Sequence, residues 1–332
     1  MQDLGNILIY HKVIERNNSN DFLGAPPSGN TLSFPTRREF LTTLVGCSGA
    51  LALGVPSLIL ADDHPPTLDD QVEKLVKQMR SQGLIRPEEK TSWSVYDFTT
   101  DKKLVTINED IPRQAASMIK PFVAQAYFYA LGDSRGKLSY TKKVRKTMEK
   151  MICDSDNAAT NRLISTVSRY RQNRGARDVE QVLKKKAPGI FRHTRIVESI
   201  PANGRTYRNQ ASAHDYSRFL YALWHSQLPF ADELREIMSL PNADRIYRGV
   251  PSIPRGTKVY DKTGSTARLC GNMGIIDAPG SKGRRYPYTF IGIIERPSRV
   301  KDYGSWLDQR SDAIRAVSDL VYRNMKQRHR LT

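Results

Sequence analysis

Residues 117–131 read Ser117-Met118-Ile119-Lys120-Pro121-Phe122-Val123-Ala124-Gln125-Ala126-Tyr127-Phe128-Tyr129-Ala130-Leu131, a hydroxyl and an ammonium heading an apolar run. Proline is tolerated only in the first turn of a helix, so Pro121 predicts a buried helix that starts at about Ser117, with the serine at the positive end of the helix dipole. Lys120, one turn on, then shares the face of Ser117. The same Ser-x-x-Lys spacing recurs at Ser134 to Lys137 and Ser139 to Lys142. The first of these lies in a glycine-broken loop and the second heads a lysine-rich helix that cannot be buried, so Ser117 is the candidate that matters.

Two further strings follow in order, Ser155-Asp156-Asn157 and Lys262-Thr263-Gly264. A given tripeptide arises by chance in only about one chain in twenty to thirty of this length, so the ordered trio is not noise. Together they supply a nucleophile with a lysine beside it, a second hydroxyl with an amide nearby, and a cationic strand, the equipment of serine acyl transfer.

Outward from these strings, Thr67-Leu68-Asp69-Asp70 is a capping signal for a helix carrying Val72, Leu75, Val76 and Met79. Segments 93–98 and 104–107 read as a hairpin. Helices are expected over 141–153, 157–167 and 178–186, with the Ser155 string in the short loop between the first two. Residues 188–211 read as irregular, and Ser212 caps a helix bearing Tyr216, Phe219, Leu220 and Leu223. Strands return at 258–263, 273–276 and 288–294, and a closing helix carries Ile314, Val317, Leu320, Val321 and Met325. This order is α+β: an antiparallel five-stranded sheet flanked by the terminal helices, with an all-helical lobe from the middle of the chain and the three strings meeting in the cleft between them.

The 332 residues divide on this reading into an N-terminal extension, 1–35, a twin-arginine-type signal peptide, 36–61, and one hydrolase domain, 62–332. Arg37-Arg38 precedes a moderately apolar stretch from Leu41 to Leu60, with Pro56 and Ala61 near the expected cleavage point. An uncleaved anchor is the alternative, because that run is long enough to span a bilayer. A lipid-attachment box at Cys47 is set aside, since the apolar run continues well beyond it. Export by the twin-arginine route to the periplasm or beyond is the expectation.

A net charge of +18 suggests anionic envelope polymers as partners; no nucleic acid is expected, because the basic clusters lack interleaved aromatics on a binding fold. The protein is read as a monomer. Cys153 and Cys270 flank two of the strings and are candidates for a disulfide in an oxidising compartment. Histidines at 11, 64, 193, 214, 225 and 329 lack the spacing of a zinc motif, so neither metal nor cofactor is expected.

With these residues in view, the chain resembles the penicillin-recognising serine hydrolases, closest to the class A β-lactamases and their D-alanyl-D-alanine peptidase relatives, over nearly all of 65–328. The resemblance implies Ser117 as nucleophile, Lys120 as its activator, Ser155 as proton donor to the leaving nitrogen and Lys262 as a source of positive potential. It implies Asn157, Thr263, Gly264 and Ser265 as substrate contacts, with the backbone N–H groups of Ser117 and Ser265 as oxyanion hole. Arg268 is a candidate for an extra carboxylate clamp, and Asn161 matches an asparagine that steadies the loop under the site. The chemistry asks for the same residue types: a serine hydroxyl is a poor nucleophile near neutral pH, and a lysine accepts its proton only when burial and nearby cations lower its pKa.

The class A loop carries Glu-x-x-x-Asn, whose glutamate activates the deacylating water. Here Glu198 is followed by Asn203 at five positions. Three functions therefore stand: a class A-like β-lactamase, favoured by the Ser155 string with Asn161; a D-alanyl-D-alanine carboxypeptidase or endopeptidase on peptidoglycan stem peptides; and a penicillin-binding sensor or decoy that acylates and stalls.

Overall fold

The computed structural model describes residues 65–201, 203–205 and 208–331. The expected extension and expected signal peptide, with the arginine pair, Cys47 and the anchor alternative, all lie outside the described residues. Among those described, no helix is long and apolar enough to cross a membrane.

Helix α1 (Leu68–Ser81) starts at the expected capping box: Thr67 Oγ1 accepts the Asp70 N–H at 3.2 Å, and Asp70 Oδ2 accepts the Thr67 N–H at 2.9 Å. Its buried stripe is Leu68, Val72, Val76 and Met79. Strands β1 (Lys90–Asp97) and β2 (Lys102–Val105) form the expected hairpin, with Tyr96 opposite Lys103 and a register shift between Val95 and Tyr96.

The chain then passes through a two-residue strand β3 (Arg113–Gln114) and a 3₁₀ turn over Ala116–Ile119 into α2 (Lys120–Asp133). The α-helix thus begins at Lys120 and not at Ser117. Pro121 has no N–H to give the Ser117 carbonyl, which is taken by the Lys120 N–H in a tighter bond, so the serine sits one 3₁₀ turn ahead of the helix.

Helices α3 (Lys142–Ile152), α4 (Asn157–Tyr170) and α5 (Ala176–Lys186) pack with α2 into the helical lobe. Strand β4 (Gln210–Ala211) pairs antiparallel with β3, and Ser212 caps α6 (Ala213–Trp224). Helix α7 (Ala231–Ser239) has no counterpart among the sequence expectations. Strands β5 (Lys258–Thr266), β6 (Leu269–Pro279) and β7 (Arg285–Glu295) are longer than their apolar centres suggested.

The sheet order is β2-β1-β7-β6-β5, every pairing antiparallel, so β5 is an edge strand. Helix α8 (Tyr303–His329) packs on α1 and on β6 and β7. The expected α+β class, five-stranded sheet and helical lobe are all present.

Candidate functional site

Ser117 is held by a turn that the sheet grips from one side. Its neighbour Met118 is fully buried, and a Cβ placed on Gly264 would lie 2.9 Å from Met118 Cγ and 3.2 Å from Ala116 Cβ. Gly271, the register partner of Gly264 on β6, is as tight, at 2.7 Å from Met118 Cε. Two facing glycines therefore make a notch that receives the methionine and brings β5 against both neighbours of Ser117. The glycine of the Lys262 string is thus a steric requirement. Ala116 is in the left-handed region at φ 45°, a strained setting for a residue with a side chain. The turn is anchored from the far side by the Ala115 N–H, which donates to the Asn209 carbonyl at 2.8 Å.

Lys120 is fully buried, and its Nζ donates to the Ser155 carbonyl, to Ser155 Oγ at 3.2 Å and to Asn157 Oδ1 at 3.0 Å. Ser155 reaches this position through a left-handed backbone, φ 55°, just before Asp156 caps α4. Burial pushes the Lys120 ammonium down to about 7, helped by the like charge of Lys262 and opposed by Asp156.

Lys262 is also buried, donates to the Thr263 carbonyl at 3.0 Å, and is lowered chiefly by burial. Beside it Asp261 is raised by burial, its carboxylate accepting the Asn272 side-chain N–H at 2.8 Å. Lys262 and Gly264 share one face of β5, and Thr263 and Ser265 alternate with them, half-buried. The three sequence strings thus converge.

Residues 68–325 match the family model described as the β-lactamase enzyme family. The chain belongs to the β-lactamase enzyme family. No curated protein sequence matches it. Among solved structures, this family member is similar to a PBP-A variant described as an acyl-enzyme complex with penicillin G, at TM-score 0.60 and 21% identity over 80% of this chain and 100% of the other. It is similar to a class A β-lactamase from Mycobacterium abscessus, at TM-score 0.59 and 16% identity over 78% of this chain and 99% of the other. An ancestral class A β-lactamase gives TM-score 0.58 and 20% identity over 78% of this chain and 100% of the other. At these identities the likeness is one of fold.

Within this family member, the loop beneath the site departs from the expected Glu198 and Asn203 pair. Asn161 clamps Ile200, its Oδ1 accepting the Ile200 N–H at 2.9 Å and its Nδ2 donating to the Ile200 carbonyl at 2.6 Å. Glu198 accepts the Arg208 N–H at 2.9 Å, while Asn203 accepts the Arg205 N–H at 3.0 Å and so closes its own turn. A second clamp, Asn209, accepts the N–H groups of Val197 and Glu198 at 2.9 and 3.1 Å and donates to the Glu198 carbonyl at 2.9 Å. Nothing local marks Asn209 in the sequence, where 188–211 reads as irregular, and the strand that follows it, Gln210–Ala211, is only two residues long.

Arg268 lies in the turn after β5, with Nε donating to the Arg296 carbonyl at 3.4 Å. The candidate disulfide between Cys153 and Cys270 is not formed. Cys153 faces the Ile237 carbonyl and Cys270 faces Ser311 on α8, so both are free thiols directed at different elements.

Proposed function

We propose that the protein is a serine acyl-enzyme hydrolase of the class A β-lactamase type, opening β-lactam amides through an ester on Ser117. The carrying observation is the buried Lys120, bonded to Ser155 and Asn157 with Lys262 as its like-charged neighbour. In this reading neutral Lys120 takes the proton as Ser117 Oγ attacks the carbonyl carbon. The C–N bond then breaks, and the Ser155 hydroxyl passes the proton from Lys120 to the leaving nitrogen. Backbone N–H groups of Ser117 and Ser265 would hold the oxyanion, each such donor contributing about 3 to 4 kcal/mol. Lys262, Thr263 and Ser265 would receive the substrate carboxylate. The edge position of β5 leaves its outer backbone open to an extended substrate.

A second reading, a D-alanyl-D-alanine peptidase on peptidoglycan stem peptides, is favoured by the loop. The residue gripped by Asn161 is the buried, apolar Ile200, and the charges acting on Lys120 are Lys262 and Asp156. The same machinery would then acylate with slow release. The arginine pair ahead of the apolar segment supports export by the twin-arginine route, where such substrates and anionic envelope polymers are met.

Time-resolved labelling with a fluorescent penicillin tests these readings. Covalent label is expected on the wild type and absent from Ser117→Ala; label on Ser117→Ala would overturn the nucleophile. Label lost within seconds, and made persistent by Glu198→Ala, supports the β-lactamase reading, whereas label lasting for hours supports the peptidase.

A further inference from the structure

Charge is unevenly spread along this chain. Residues 134–187, which run from the end of α2 through α5, hold 15 lysines and arginines against 5 aspartates and glutamates, a net +10 of the chain's +18. Of those 15, only Arg145, Arg171, Arg174, Lys184 and Lys186 form ion pairs among the described residues. Like charges at that density repel one another, and a bound polyanion relieves the repulsion.

Part of this charge lines a groove that three segments wall together. The cavity, of about 680 Å³, takes Lys137 from the turn after α2, Tyr170 and Arg171 from the end of α4, and Glu180, Lys184 and Lys185 from α5. Lys137 and Lys185 are exposed and unpaired among the described residues. Arg171 is 3.9 Å from Asp133, whose nearer partner is Lys186. The acid in the groove, Glu180, is occupied on both oxygens: one meets Lys184 at 3.1 Å and the other accepts the Ile196 N–H at 2.8 Å. Four cations therefore face the groove against one carboxylate that is already engaged.

The other side chains of this region select the occupant. A bilayer surface calls for apolar groups that insert beside the cations, but the exposed large apolar residues Ile111, Phe230 and Tyr303 all lie outside 134–187. Nucleic acid calls for aromatic faces on which successive bases stack, and the groove offers only Tyr170, tethered by its hydroxyl to the Asp133 carbonyl at 2.8 Å. A chain of phosphates without bases or acyl tails asks for neither, and lysines meet it as point charges.

We propose that this groove between α4 and α5 docks a flexible envelope polymer of phosphodiester-linked polyol repeats and so holds the protein at the wall. The proposal rests on the export reading, which supplies the polymer, and is independent of the chemistry at Ser117. The sequence pointed to anionic polymers through net charge alone; the surface they fit is made by three segments that only the fold brings together.

Calorimetry of the tag-free protein with purified poly(glycerol phosphate) at several salt concentrations tests the groove. The wild type should bind, with an affinity that falls steeply as salt rises. Lys137→Glu with Lys185→Glu should weaken binding about tenfold or more at about 50 mM salt and flatten the salt dependence, since each lost phosphate contact removes about 0.7 from the slope of log affinity against log salt. Lys74→Glu with Lys301→Glu, at exposed positions on α1 and ahead of α8, changes the net charge equally and should leave the affinity near that of the wild type. No binding by the wild type, or equal losses in the two variants, overturns the proposal. Tighter binding to single-stranded DNA of equal charge, or to vesicles of phosphatidylcholine with phosphatidylglycerol, overturns it as well. Fluorescent-penicillin labelling of Ser117 on the same samples scores the hydrolase reading separately.

Discussion

Lys120 is a side chain whose environment changes its chemistry. Buried beside Lys262, it is poised at about 7, so the neutral base needed for acylation becomes available as pH rises through that value. The penicillin acylation rate should therefore climb through an inflection near pH 7 and level off above it. Lys262→Ala removes the like charge and should move the inflection upward, read from the pH profile and not from the amplitude, which also falls as substrate binding weakens. The same shift acts on stability. Between about 7 and the ordinary 10.5 the unfolded chain holds a proton that the folded one lacks, so this group makes the fold more stable as pH rises through that window. Ser117, Lys120, Ser155 and Lys262 were legible in the sequence because each belongs to a short string with a fixed chemical meaning. Asn209 was not, since its role exists only in contacts made across the fold.

The turn carrying Ser117 and the hairpin of β5 and β6 behave as one mechanical unit, joined where Met118 enters the notch between Gly264 and Gly271. Gly264→Ala should cost about 1 to 3 kcal/mol in a urea melt and slow acylation strongly, because the added methyl must push the turn away from β5. Pairing it with Met118→Ala should return part of the stability, giving a non-additive cycle. The helices capped by Thr67 and Ser212 were readable from capping and period. The notch was not, because it depends on strand register, and α7 was not, because nine residues with a charged face and no side-chain cap leave little local signal.

Across the domain, α8 is fastened to the segment entering β1 by Glu89 and Arg310, both buried, in a two-pronged pair that also takes the Trp306 indole N–H at 2.6 Å. Glu89→Gln leaves the guanidinium without its counter-charge and should cost about 3 to 5 kcal/mol, lowering the melting temperature by roughly 10 °C while penicillin labelling persists below the transition. The α+β architecture was readable because runs of strand, helix and strand succeed one another; this pair was not, since 221 positions separate its members. The two-residue ladder of β3 and β4, with the Ala115 to Asn209 bond, joins the turn carrying Ser117 to the loop below it. Segments so joined should open together, so the amides of Ala115 and Val197 should exchange with deuterium at a common rate, and an acyl group on Ser117 should slow both.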